Sequence, residues 1–296
     1  MRFHNKALIC TTCFLALNWV CKTLNGHFDI NDLVKPKERG SAWDVSSKET
    51  SFDHQSVLKQ KFHFLAKGHQ AFAFVSDDGK YILKLFKPAY PRPCILGVPI
   101  DFSFFPFSKV LYQFFSKEIF QKRINKDLTS YANAFNKFKE ESLLEYAHLT
   151  NTSDLKTDIK FFDKIGILRT LEADSTCFII QKRAISLENT LTALLQENKV
   201  NEAKLILKRL FRLISLRKEL GFKKATNKFH ANFGCVGLQP VQYDVGKLLT
   251  AEDFGLSQEE ADSLVDLSVP KLTIWLHKNY PSLSEYLEEL KTTASL

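Results

Sequence analysis

Residues 62–87, FHFLAKGHQAFAFVSDDGKYILKLFK, decide the fold class. Aromatic and β-branched residues flank Ser76-Asp77-Asp78-Gly79, and an Asp-Gly pair between two such runs is a tight-hairpin signal. Antiparallel strands are therefore expected over 62–75 and 80–87. Downstream, PAYPRPCILGVPIDFSFFPF holds five of the nine prolines, so residues 88–107 have no long regular element. Lys117 to Leu149 has a helical pattern with a break expected near Asn125 to Thr129. Strands are expected at 159–171 and 176–182, on either side of the turn Glu172-Ala173-Asp174-Ser175. Leu187 to Leu220 is helical, with apolar residues at 206, 207, 210, 213, 214 and 220 forming a wide stripe, and Gly221 stops it. Two short strands, 234–238 and 241–244, surround Gln239-Pro240, and an amphipathic helical region fills 251–296. No internal repeat is present. Strands and helices in this mixture give an α+β fold.

The chain has 296 residues, 45% hydrophobic and 25% charged, which excludes disordered, collagen-like and repetitive proteins. That length buries a sizeable core. Phenylalanine is used 26 times against one methionine, so large rigid side chains fill the interior. The formal charge is +8 with a pI near 9.0. Much of it is local. Residues 204–228 carry nine lysines and arginines against Glu219 alone, flanking an apolar helix stripe. Such charges solvate a helix face more often than they bind phosphate or anionic lipid, and no nucleic-acid partner is expected.

At the amino terminus, Arg2 and Lys6 precede an uncharged run from Ala7 to Cys21, ALICTTCFLALNWVC, and Lys22 closes it. This is the layout of an export signal. The stretch from Val20 to Gly26 lacks an Ala-x-Ala cleavage pattern, and the bulky pair Trp19-Val20 argues against a lipidated Cys21. An uncleaved membrane anchor through residues 7–21 is the expectation, with a cleaved signal peptide as the alternative. Residues 1–26 are this segment and residues 27–56, mixing Lys35, Pro36, Lys37, Glu38, Arg39 and Gly40, are a connector. The positive-inside rule places the remainder outside the cytoplasm, membrane-anchored or secreted.

Six cysteines do not form a disulfide framework here. Cys10, Cys13 and Cys21 lie in the hydrophobic run, and Cys177 and Cys235 fall in strand-like apolar stretches where buried reduced thiols are expected. The scattered histidines offer no zinc spacing.

The element order, together with a set of spaced residues, resembles the protein-kinase-like superfamily. Leu65-Ala66-Lys67-Gly68-His69-Gln70-Ala71-Phe72-Ala73 follows the glycine-rich turn with only its second glycine kept, and Tyr81-Ile82-Leu83-Lys84 supplies the strand lysine. Asn232, followed twelve residues later by Asp244-Val245-Gly246, matches the metal-binding asparagine and the Asp-Phe-Gly segment. The resemblance covers residues 62–246. It implies a two-lobed fold over 57–296, with a small β-rich N-lobe at about 57–182 and a mostly helical, shortened C-lobe at about 183–296. It further implies that ATP is bound by Leu65, Gly68, Gln70, Ala73, Ile82, Lys84, Glu141 and Gln181. Magnesium would be held by Asn232 and Asp244. Glu141, with Glu145 in reserve, is the helix glutamate that would pair with Lys84.

The departures bear on activity. Asn227 stands where the family places the aspartate that takes the substrate proton, and an amide cannot accept it. No carboxylate lies between Gly221 and Tyr243, leaving His230 as the side chain with a suitable ordinary pKa. Two functions stay open: an ATP-dependent phosphotransferase acting on a protein or small molecule, or an inactive pseudokinase that binds a partner. A membrane-anchored interaction protein is the remaining alternative.

Overall fold

The computed structural model describes residues 11–14, 16–17, 20–21, 23–26, 28–45, 51–87, 94–95, 98–99, 108–222, 232–246, 248–254 and 268–293. The protein is α+β, with a seven-stranded sheet, smaller sheets and helices. In chain order the elements are α1 (His54–Leu58), β1 (Lys61–Lys67), β2 (Ala71–Ser76), β3 (Tyr81–Phe86), β4 (Cys94–Ile95), β5 (Val98–Pro99) and α2 (Ser108–Lys137). They continue with α3 (Lys139–Ser142), β6 (Leu144–His148), β7 (Asp158–Phe162), β8 (Leu168–Glu172), β9 (Phe178–Lys182), β10 (Ile185–Ser186), α4 (Leu187–Gln196) and α5 (Val200–Glu219). The chain ends in β11 (Phe233–Val236), β12 (Gln239–Gln242), α6 (Ala251–Phe254), α7 (Ser268–Asn279) and α8 (Pro281–Thr293). It divides into two compact units, each discontinuous in sequence.

The first unit comprises residues 1–36, 55–125 and 151–178. Its strands run in the order β3-β2-β1-β7-β8. The expected hairpin is present, Val75 opposite Ile82 and Ala71 opposite Phe86. Residues 62–75, however, are two strands, because the Gly68 N–H donates to the Ala71 carbonyl (2.9 Å) and folds the chain back at 68–70. The core is a phenylalanine cluster, as the composition implied. Phe28 meets Phe72, Phe74 and Phe161 edge-on at 4.9, 6.2 and 5.5 Å, geometry that favours aromatic pairs. Phe28 and the buried Val34 come from the stretch expected to be a connector, and the Val34 N–H donates to the Phe86 carbonyl (2.9 Å). The span expected as one strand at 159–171 is β7, a turn and β8, paired from Asp158 opposite Glu172 to Phe162 opposite Leu168.

The second unit comprises residues 37–54, 126–150 and 179–296. Helices α4 and α5 fill the expected span, and Ala203, Ile206, Leu207, Leu210, Leu213 and Ile214 form the buried stripe of α5. Each fully buried leucine or isoleucine contributes roughly 1.5–3 kcal/mol. Strands β10-β11-β12 form a separate sheet in which Gly234 faces Val241 and Phe233 faces Gln242. Leu272, Leu276, Leu283 and Leu287 of α7 and α8 are buried.

Two expectations are corrected. Helix α2 runs unbroken through Asn125 to Thr129 because its polar residues find partners: Gln121 donates to Asn125 at 2.8 Å, and Thr129 accepts the Trp43 indole N–H at 2.9 Å. The helical pattern expected to reach Leu149 instead ends in α3, with Leu143 left-handed at φ 57°, and residues 144–148 are strand β6. Tyr146, Ala147 and His148 are buried there, and packing overrides their local preference. Among the described residues no helix is long and apolar enough to cross a membrane.

Candidate functional site

The sequence-predicted residues fall into two groups, one in each unit. In the first unit, Ala73 lies opposite Lys84 and Val75 opposite Ile82, so Ala73, Val75, Ile82 and Lys84 share one face of the β2–β3 ladder. Leu65 sits at the register shift between Phe64 and Ala66 and is exposed, as a bulge residue outside the regular pairing. Gly68 and Gln70 form the turn that joins β1 to β2, and the Gln70 carbonyl accepts the Lys87 N–H at 2.9 Å. Lys87 has the alternation of Leu85, not of Lys84, and its ammonium stands 5.4 Å over the buried Phe72 ring. Burial first, and then the nearby Lys67 charge, lower the Lys87 pKa to about 8.

In the second unit the β11–β12 hairpin brings Asn232 and Asp244 side by side. Phe233 pairs with Gln242, and one step beyond the ladder the Asp244 N–H donates to the Asn232 carbonyl at 3.3 Å. Asn232 is buried and Asp244 exposed. The Asp244 carboxylate accepts the Gly246 N–H through Oδ1 at 3.3 Å, an Asx-type turn, while Oδ2 takes no hydrogen bond or ion pair among the described residues. The hairpin tolerates no side chain at Gly234, where a Cβ would come within 2.5 Å of the Ile185 carbonyl oxygen and 2.9 Å of the Tyr243 ring.

Gln181, 1% exposed, donates its amide to the Ser142 carbonyl (2.9 Å) and the Tyr243 carbonyl (3.3 Å), tying the residue after Glu141 to the residue before Asp244. Its role here is internal bracing. Glu141 is half-buried on the short helix α3, apart from the long helix, and Glu145 is paired with Lys182 at 2.7 Å. Asn227 and His230 lie outside the described residues.

Three residues not singled out from sequence surround Asp244. Gln242 is 4% exposed, donates to the Asp244 carbonyl at 3.1 Å, and leaves its buried Oε1 without a partner. Tyr131 is fully buried, and burial first, then the charges of Asp244 and Asp127, push its hydroxyl pKa well up. Tyr243 is raised by burial and then by Asp244. Both phenols are therefore protonated at neutral pH. The position of Gln242, two residues before Asp244, was the available signal.

The residue types suit a hard cation: an exposed carboxylate, an adjacent amide side chain and an unsatisfied buried amide oxygen nearby. Among the described residues no group of three or more His, Cys, Asp or Glu could hold a metal. Elsewhere in the first unit a cavity of about 400 Å³ is lined by Lys59, Lys156, Lys160, Asp158 and Glu172. It contains none of the predicted residues, and its mixed charges select no ligand class. The chain matches no family model, no curated protein and no solved structure in comparisons with known proteins.

Proposed function

We propose that the protein is an atypical, reduced member of the protein-kinase-like superfamily that binds ATP with magnesium. The observation that carries this reading is the backbone pairing of Asp244 with Asn232 across the base of the β11–β12 hairpin. Supporting it, Lys84 shares a face with Ala73 and Ile82 in the unit that holds the Gly68 turn. In this reading the Lys84 ammonium contacts the phosphates, the Lys84 face receives the base and ribose, and Asp244 and Asn232 hold the metal. Magnesium, when bound, supplies charge neutralisation on phosphate oxygens. Among the described residues Asp244 keeps one carboxylate oxygen uncommitted for it, while the Gly246 N–H fixes the other. Gln242 braces the Asp244 backbone from beneath.

Phosphoryl transfer depends chiefly on positioning and charge, so the amide at Asn227 weakens the base step without removing the rest of the machinery. His230 is the side chain we assign to accept the substrate proton. The acceptor is a protein or a small molecule, and a pseudokinase role is the reading if no transfer occurs.

The test is the melting temperature of the full chain with and without ATP and magnesium, beside Lys84→Ala and Asp244→Ala. At one hundred times the dissociation constant, a ligand specific for the folded form adds about 2.7 kcal/mol, a rise of roughly 5 °C or more. A magnesium-dependent rise that both variants lose is the expected result. No shift at millimolar ATP overturns the reading.

A further inference from the structure

The turn between β7 and β8 carries an exposed aliphatic cluster that the nucleotide reading does not use. Ile165, Ile167 and Leu168 keep 45–47% of their surface open to solvent. Single exposed aliphatics are ordinary, but three within four residues on one turn mark an interaction surface. The turn is also rigid. Asp163, 3% exposed, accepts the Ile165 N–H (3.2 Å) and Ile167 N–H (2.9 Å) through Oδ1, and the Arg169 guanidinium (3.0 Å) through Oδ2. The Asp163 N–H donates to the Ile167 carbonyl and the Gly166 N–H to the Asp163 carbonyl, closing the loop from within. A display held this way loses little entropy when it binds.

Its surroundings indicate what it binds. A Cβ built at Gly26 would lie 3.4 Å from the Lys164 side chain, so the turn stands beside the residue where the amino-terminal segment ends. That segment carries its own exposed apolar residues, Phe14, Leu17, Val20 and Leu24, on helical backbone. The charge excess of the turn is positive: Lys164 is exposed, while Arg169, its side chain 38% exposed, is paired through Nε and Nη2 with the buried Asp163. Aliphatic side chains flanked by cations suit the interface of an anionic bilayer, where contact needs no spanning helix.

We propose that the β7–β8 turn is a second membrane contact, in which Ile165, Ile167 and Leu168 enter the interfacial layer of the bilayer that receives residues 7–21, with Lys164 and Arg169 at the anionic headgroups. This rests on the membrane reading of residues 7–21. The contact fixes the first unit against the lipid surface instead of leaving it on a free tether.

The experiment uses the full chain in vesicles of phosphatidylcholine and phosphatidylglycerol, with and without brominated acyl chains, which quench tryptophan on contact. Ile167→Trp and, independently, Ile165→Trp are compared with wild type, and Ile274→Trp, on the exposed face of α7, is the control. In both turn variants the added emission is expected to shift to the blue and lose most of its intensity in brominated lipid, while that of Ile274→Trp is unchanged. The proposal is overturned if the turn tryptophans are unquenched, if they are blue-shifted yet unquenched because protein covers them, or if Ile274→Trp is quenched equally. Trp19, inside the hydrophobic run, separates the two readings: quenched wild type with unquenched turn variants removes the turn contact alone, and unquenched wild type removes both.

Discussion

Replacing Asp163 with alanine tests how the β7–β8 turn is held. Its carboxylate is fully enclosed and accepts from two backbone N–H groups and from both Nε and Nη2 of Arg169, all at 2.9–3.2 Å. Hydrogen bonds to a charged group each contribute about 1.5–3 kcal/mol when a partner is deleted. The sum does not apply here. The turn is exposed, so the two N–H groups regain water, and Arg169, with 38% of its side chain open, is resolvated without moving far. What remains is the cavity, the loss of a fixed turn and the share of the Arg169 charge that water does not reach. About 3 kcal/mol results, near the lower end for breaking a buried pair. Asp163→Asn keeps the Oδ1 acceptor but turns amide donors towards the Arg169 donors and also removes the counter-ion, and should cost about as much. Urea unfolding followed by circular dichroism reads both. A loss below about 1 kcal/mol for Asp163→Ala, with unchanged denaturant slope, refutes the reasoning and means that Gly166 and the strand ladder alone set the turn.

Gly234→Ala forces a methyl group against the Ile185 carbonyl oxygen and the Tyr243 ring, and should destabilise by about 1–3 kcal/mol in equilibrium unfolding. It should also weaken ATP-dependent stabilisation, because Tyr243 precedes Asp244. Lys87 holds its proton only to about pH 8 in the folded chain but to about 10.5 when unfolded, so the unfolded state binds more protons between those values and stability rises with pH across that window. Lys87→Met should therefore raise the urea midpoint at pH 7 and flatten its increase towards pH 10; an unchanged profile means the ammonium is fully solvated. The thiol of Cys235 is pushed up to about 11 by burial, and Cys177 is buried, whereas Cys13 and Cys21 are exposed. Brief iodoacetamide treatment at pH 8, read by peptide mass spectrometry, should modify Cys13 and Cys21 and spare the other two until denaturant is added. Rapid labelling of Cys235 in the folded chain contradicts its placement in β11.

The turn at Asp77-Asp78-Gly79 was legible because its chemistry is local: Asp78 accepts the Ser76 hydroxyl at 2.6 Å and the Lys80 N–H at 3.0 Å within five residues of chain. The buried stripe of α5 was legible for the same reason, its period being a property of one helix. Strand β6 was not. Leu144-Glu145-Tyr146-Ala147-His148 has no alternation, the preceding left-handed residue is a leucine, and its strand state depends on β9, more than thirty residues away. The buried roles of Phe28 and Val34 were hidden likewise, because isolated apolar residues among Lys35, Pro36 and Lys37 have no period to reveal them.

The candidate site divides along the same line. Asn232 and Asp244 could be paired from sequence because a short hairpin lies between them, although its turn is Gly237-Leu238 and the expected turn residues Gln239 and Pro240 belong to β12. The bond from the Asp244 N–H to the Asn232 carbonyl is one residue out of the ladder register. Gln181 could be singled out but its task could not. Its amide joins two carbonyls that are 101 residues apart, Ser142 and Tyr243, and such a brace has no sequence signature. That brace bears on the proposed chemistry. Gln181→Leu removes one donor from each carbonyl, the buried one of Ser142 and the part-buried one of Tyr243, at about 1–3 kcal/mol for the buried acceptor. It should loosen the Asp244 segment without touching either of its oxygens. If Asp244 and Asn232 act as a pair, this variant should weaken magnesium-dependent stabilisation by ATP more than magnesium-free stabilisation; equal loss in both conditions assigns Gln181 to general stability and leaves the pair's geometry independent of it.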